Sequence, residues 1–187
     1  MSSSSSSSSY QMNMNENDNE NKNVYVNNIF TKSLISQRVE IDIKNIGTNL
    51  VEVIKEYIVR EIEGKCINEG YVKRGSVKVQ YYTSGELFSS KVLFDVVVEC
   101  YICYPVEDML IECVAINITK AGIRSELKMN DGEKSPLVIF LAREHNDSDE
   151  FDEIKENDKI LVNVIGSRFE INDKYISVIA ELKNKIK

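Results

Sequence analysis

Glu63-Gly64-Lys65-Cys66-Ile67-Asn68-Glu69-Gly70-Tyr71-Val72 stands between a helical pattern and a long run of strand patterns. Upstream, Leu50, Val53, Ile54, Tyr57, Ile58 and Ile62 fall on one face of a helix. Asn49 can cap its start, with Glu52 three residues on as a reciprocal capping-box partner. Gly64 can supply the left-handed residue that ends it. Before the helix, residues 34–46 alternate Val39, Ile41 and Ile43 with polar residues, which suits a half-buried strand.

Downstream of the quoted stretch, Gly70–Val72 reads as a short strand. Ser76–Tyr82 alternates Val77, Val79 and Tyr81 with Lys78 and Gln80, after an Arg74-Gly75 turn and before a Ser84-Gly85 turn. Lys91–Tyr104 is longer, with Val92, Phe94, Val96, Val98, Cys100 and Ile102 on one face and Asp95 and Glu99 on the other. Pro105 cannot donate to a ladder and ends it. A helix packed on an antiparallel sheet gives an α+β unit for residues 28–105.

From residue 106 to 187 the pattern is short strands only: Met109–Ile118, Gly122–Leu127, Leu137–Leu141, Lys159–Ile165 and Tyr175–Leu182. Ala121-Gly122, Asn130-Asp131-Gly132 and Asn172-Asp173 supply turns. An acidic segment, His145 to Asp158, follows the third strand. Five strands with an insertion after the third match the count and spacing of an all-β OB-fold barrel.

The first 27 residues are a tail: a Ser2–Ser9 run, then an Asn-rich stretch. Such a segment buries too little apolar area to offset the entropy of ordering, so it reads as disordered. The chain has 187 residues and a net charge of −7. That balance argues against wrapping nucleic acid by bulk electrostatics, which needs clustered Lys and Arg. No basic start followed by an apolar run suggests a secretory signal, and no stretch is long and apolar enough to span a membrane. Cys66, Cys100, Cys103 and Cys113 therefore read as reduced and mostly buried.

Residues that could carry chemistry are few. Cys100 and Cys103 lie three apart within a strand, so they point to opposite faces and do not share a metal easily. His145 is the only histidine, in a polar segment without a Ser or Cys motif. No P-loop or dinucleotide fingerprint occurs, and no cofactor is implied. The run Asp147 to Glu153 reads as a solvated acidic loop. Single-stranded RNA binding is better supported, because OB barrels bind through their second and third strands and nearby loops. Lys120, Arg124, Lys128, Arg143 and His145 are the candidates on that face or its edges. Arg168, Phe169 and Tyr175 on the last hairpin could add cationic and stacking contacts. From Val106 onward acidic residues outnumber basic ones, so such binding is weak and local.

The order helix, Glu63-Gly64-x-Cys66, Gly70-Tyr71, long strand, Pro105 and small barrel resembles the stalk subunit of multisubunit DNA-directed RNA polymerases. This family comprises the seventh subunit of polymerase II and the archaeal E subunit. The resemblance spans residues 33 to 183. Val92, Phe94 and Pro105 match its long strand, and Ile111–Val114 with Gly122 its first barrel strands. A departure is Leu110-Ile111-Glu112-Cys113, which has no glycine where the family usually has a Gly-rich loop. The resemblance implies a truncated ribonucleoprotein-like docking domain followed by an OB-fold domain beside emerging RNA. It also implies a non-catalytic role, with polymerase core subunits and in some cases a fourth-subunit-like stalk partner. Glu63, Gly64, Lys65, Gly70 and Tyr71 would then lie at the docking tip. Asn117–Arg124 and Pro136–Phe140 look most like versions from large nucleocytoplasmic DNA viruses. Such an origin implies the virion and a cytoplasmic virus factory, whereas a cellular version would be nuclear. The competing reading is a free-standing OB-fold RNA-binding protein of translation or RNA decay.

Overall fold

The computed structural model describes residues 29–129, 133–146 and 148–186, so the N-terminal tail and the Asn130–Gly132 turn expected above lie outside the described residues. The first half is a sheet with one helix on it. β1 (Phe30–Asp42) pairs along its whole length with β6 (Lys91–Cys103), antiparallel and without a register shift. On the other side of β6 lie β3 (Gly70–Val72), β4 (Lys78–Tyr82) and β5 (Glu86–Phe88), and β2 (Cys66–Ile67) pairs with β3. β2 and β5 are too short to show a period and were not legible in the sequence. The first strand also starts earlier than its alternation suggests, and residues 43–45 turn into a 3-10 helix.

The helix α1 (Leu50–Ile62) buries Ile54, Ile58 and Ile62 against Val39, Ile41, Phe94, Val96 and Val98. Each such side chain contributes about 1.5–3 kcal/mol relative to exposure. Its start departs from the expected capping box. Asn49 adopts φ −102° and ψ 33°, outside the extended region that aims a capping side chain, and forms no side-chain cap bond. Its Oδ1 accepts instead from the Thr48 hydroxyl at 3.4 Å. At the other end Gly64 takes φ +70°, as expected for a helix stop.

After Pro105 the chain closes a five-stranded barrel: β7 (Leu110–Ile118), β8 (Gly122–Glu126), β9 (Leu137–Ala142), β10 (Lys159–Arg168) and β11 (Ile176–Ile186). The order around it is β10-β11-β9-β8-β7, with β10 returning to β7 and the β9–β11 pair parallel. The closed five-stranded barrel is consistent with an OB-fold. Its interior is aliphatic, including Ile111, Ile139, Leu141, Ile160, Val162 and Ile176. The acidic insertion is not simply a solvated loop. Asp149–Asp152 forms a short helix, α2, and Phe151 and Ile154 are buried on the barrel.

Packing does not stop where the chain crosses from sheet to barrel. Cys66, Tyr71 and Cys103 of the first half belong to the barrel's buried cluster. Gly70 makes this junction possible. At φ +127° it lies so close to the Cys103 carbonyl that a Cβ would overlap the oxygen.

Candidate nucleic-acid interface

The stretch that decides the fold is largely turned inward. The Glu63 carboxylate accepts the Gly75 N–H at 2.9 Å and the Val77 N–H at 3.0 Å, bracing the loop into β4. The Lys65 ammonium donates to the Arg60 and Glu61 carbonyls at 3.0 and 3.1 Å, where helix carbonyls lack backbone partners. Gly64, Gly70 and Tyr71 are buried. Burial raises the Tyr71 hydroxyl above its ordinary pKa, and a hydrogen bond with Arg74 partly offsets this. The exposed residues of the stretch are Asn68 and Glu69. Of the five residues named from the sequence for docking, Gly64, Gly70 and Tyr71 are thus buried, and Glu63 and Lys65 are half-buried and bonded to backbone groups.

The barrel candidates divide into separate groups. At one end, where Gly122 pairs with Ala142, lie Lys120, Arg143 and His145. Arg143 is committed there: its Nη1 meets Asp152 at 2.7 Å, its Nε donates to the Lys120 carbonyl at 3.3 Å, and its guanidinium lies 5.4 Å from the Phe151 ring centre. It holds the insertion to the β7–β8 turn, which leaves Lys120 and His145 exposed.

At the opposite end, beside the starts of β9 and β11, lie Lys128, Arg168, Phe169 and Tyr175. The β10–β11 connection is braced on the first half: the Cys66 N–H donates to the Asp173 carbonyl at 2.7 Å, and the Asn172 N–H to the Cys66 carbonyl at 2.8 Å. Phe169 packs on the barrel core and meets Tyr104 edge-on at 6.0 Å, so its ring is not free for stacking. Tyr175 is exposed, and Arg168 lies 3.4 Å from Glu170.

Between these ends Arg124, named from the sequence, stands in an outer strip whose apolar members sequence reasoning missed. Arg124 on β8 pairs with Phe140 on β9, and Phe140 with Ile179 on β11. Phe140 and Ile179 are 37% and 48% exposed, so a ring and an aliphatic side chain stand on the barrel surface beside a guanidinium. Arg124 also contacts Glu126 at 2.9 Å, a partly exposed pair of small net value. Leu137–Leu141 is apolar at every position, so only the register separates Phe140 outside from Ile139 inside.

The four thiols are buried and free. Burial pushes Cys66 and Cys100 up to about 11, and Cys103 and Cys113 up to about 12. Cys100 and Cys103 fall in different buried clusters, as their spacing implies. Among the described residues no group of His, Cys, Asp and Glu is placed to hold a metal, and no helix is long and apolar enough to cross a membrane.

No family model matches the chain. It is 25% identical over 150 residues to a protein of Acanthamoeba polyphaga mimivirus provisionally named as a DNA-directed RNA polymerase subunit, a match covering 72% of this chain and 72% of that protein.

Proposed function

We propose that this chain is a non-catalytic stalk subunit of a viral DNA-directed RNA polymerase, docking through its first half and contacting nascent RNA with its barrel. The mimivirus relative supports the polymerase-subunit part of this reading: a match over 72% of the chain exceeds either half alone, so it includes parts of both sheet and barrel. The domain division at residues 105 and 106 is part of the same proposal. In this reading the RNA runs over the barrel with Phe140 as a stacking surface, Arg124 beside it, and Lys120 and Tyr175 towards the two ends. The exposed Asn68–Glu69 turn is what the tip presents to a core subunit. A viral polymerase of this kind would work in the cytoplasmic virus factory of the infected cell.

The test begins with co-purification of large polymerase subunits from infected cells expressing a tagged chain. RNA contact is then read by crosslinking of nascent transcript in the assembled enzyme. Phe140→Ala is expected to cost about 1–3 kcal/mol of stacking with the salt dependence unchanged. Arg124→Ala is expected to lower the log–log salt slope by about 0.7 for one lost phosphate. RNA affinity without co-purifying polymerase subunits would favour the free-standing RNA-binding protein instead. Unchanged crosslinking in both variants would remove the RNA role.

A further inference from the structure

The sheet face opposite α1 is covered by the barrel at one end. Strand pairing sets the side chains of that face in rows across β1, β6 and β3. Phe30, Cys103 and Tyr71 make the first row, and all three pack in the barrel's cluster. Lys32, Tyr101 and Lys73 make the second. Lys32 pairs with Tyr101 on one side, and on the other the Lys73 N–H donates to the Tyr101 carbonyl at 2.8 Å. This row emerges from under the barrel, and Tyr101 is 39% exposed there.

The rim beside Tyr101 is cationic. Lys73, Arg74 and Lys134 line a small recess with Phe30, Tyr71 and Glu133, where the β8–β9 connection meets the sheet. The Lys73 ammonium stands 5.1 Å from the Phe30 ring centre, and the Arg74 guanidinium donates to the Tyr71 hydroxyl. Aromatic neighbours thus hold two of the three cations in place. Elsewhere on this face cations are spent on carboxylates: Arg38 on Asp95 and Lys91 on Glu40, each at 2.8 Å. Lys73, Arg74 and Lys134 form no ion pair among the described residues. Two carboxylates lie close. Glu133 is in the recess, while Glu99, in the next row, is engaged by Lys32 at 3.0 Å and accepts from the Gln80 amide at 3.1 Å. Three unpaired cations against Glu133 leave a local positive charge on a chain whose net charge is −7.

We propose that this rim is a second site for single-stranded RNA, with a base stacked on Tyr101 and the flanking phosphates held by Lys73, Arg74 and Lys134. An exposed ring beside cations that no carboxylate neutralises is the combination single strands use. An acidic polypeptide would meet the cations but leave the ring unused. The site rests on the reading of the chain as an RNA-contacting subunit and extends that contact from the barrel onto the first half. β8 and β9 join the two places: their connection forms the recess, and the strands themselves carry Arg124 and Phe140.

The experiment uses the full-length chain and a fluorescein-labelled oligouridylate at low salt, read by anisotropy. An abasic strand of the same length and a poly-Glu peptide of the same charge serve as competitors. Photocrosslinking of the oligonucleotide carrying thiouridine, followed by mass spectrometry of the crosslinked peptides, locates the contact. Crosslinks are expected in the peptide that contains Tyr101. Tyr101→Ala should weaken oligouridylate binding at least about fivefold and leave binding of the abasic strand unchanged. Lys134→Gln, at an exposed position, should lower the log–log salt slope by about 0.7. Glu133→Gln should strengthen binding. A misfolded Tyr101→Ala protein would lose both strands and a normal melting temperature, and Lys134→Gln then decides.

Unchanged affinity and salt slope in Tyr101→Ala and Lys134→Gln, with losses in Phe140→Ala and Arg124→Ala, overturns the proposal and leaves the barrel as the RNA surface. Competition by the abasic strand or the poly-Glu peptide equal to that of unlabelled oligouridylate overturns it as well, because the ring would then contribute nothing. Absence of any RNA binding removes this site and the barrel track together, whereas the polymerase reading is decided separately by co-purification.

Discussion

Gly70→Ala tests the junction between sheet and barrel most directly. The glycine sits at φ +127°, where a side chain is strained by about 1–3 kcal/mol. The added Cβ would overlap the Cys103 carbonyl oxygen and lie 3.0 Å from Ile102 Cγ2 and 3.3 Å from the Cys103 carbonyl carbon. Cys103 cannot retreat easily, because Phe30 of β1 and Tyr71 of β3 pair with it from both sides. Overpacking of this kind adds about 1–3 kcal/mol, giving a total loss of about 2–6 kcal/mol. For a chain of this size, at about 2–4 °C per kcal/mol, that corresponds to a drop of about 4–24 °C in melting temperature. Two comparators set the scale. Gly64→Ala shares a positive φ of +70°, but the added Cβ meets the flexible end of Arg74, so the expected cost is about 1–2 kcal/mol. Gly47→Ala meets nothing within 4 Å and is expected to be neutral or slightly stabilising. Thermal and urea unfolding followed by circular dichroism should rank the three Gly70, Gly64, Gly47 from most to least damaging. A Gly70→Ala protein that melts with wild type, or above Gly64→Ala, would refute the close-approach argument.

The four thiols should react with Ellman's reagent only at the rate of unfolding, because each is buried and protonated; a thiol that reacts at once in the native protein would contradict the packing. Their raised values also give a sign for alkaline pH: stability is unaffected below the ordinary thiol value of 9.0 and falls above it, as unfolded thiols ionise and folded ones resist up to about 11 and 12. In acid the sign reverses for Asp95 and Asp158, held below the ordinary 3.8 first by hydrogen bonds from Arg38 and Lys185. Their contribution is present above that value and is lost as pH falls through the depressed ones, so a small loss should appear in an acid titration only below about pH 4. Phe151→Ala should cost about 3–5 kcal/mol if the insertion is part of the cooperative fold, and hydrogen exchange in residues 143–158 should rise first. Unchanged exchange there would mean that Phe151 is not the anchor.

The amino-acid sequence by itself determined the local periods. Ile54, Ile58 and Ile62 recur at helical spacing, Val92 to Ile102 alternate, and five short apolar runs follow Pro105. These patterns are set by neighbours a few residues apart, so they can be read without knowing what they pack on. The helix stop at Gly64 was legible for the same reason. What the side chains do with distant partners was decided only by the tertiary structure. Glu63 and Lys65 look like surface charges until the turn at Gly75 and the end of α1 give them backbone groups to satisfy. Phe169 looks like a stacking residue until Tyr104 and the barrel core enclose it. Phe140 looks like one more core residue until the pairing of β8, β9 and β11 turns it outward beside Arg124. The bracing of Asp173 on Cys66 likewise arises from the order in which strands meet. Strand order joins residues tens of positions apart, and a pattern of period two is satisfied equally by either neighbour and either face until the sheet and the barrel close.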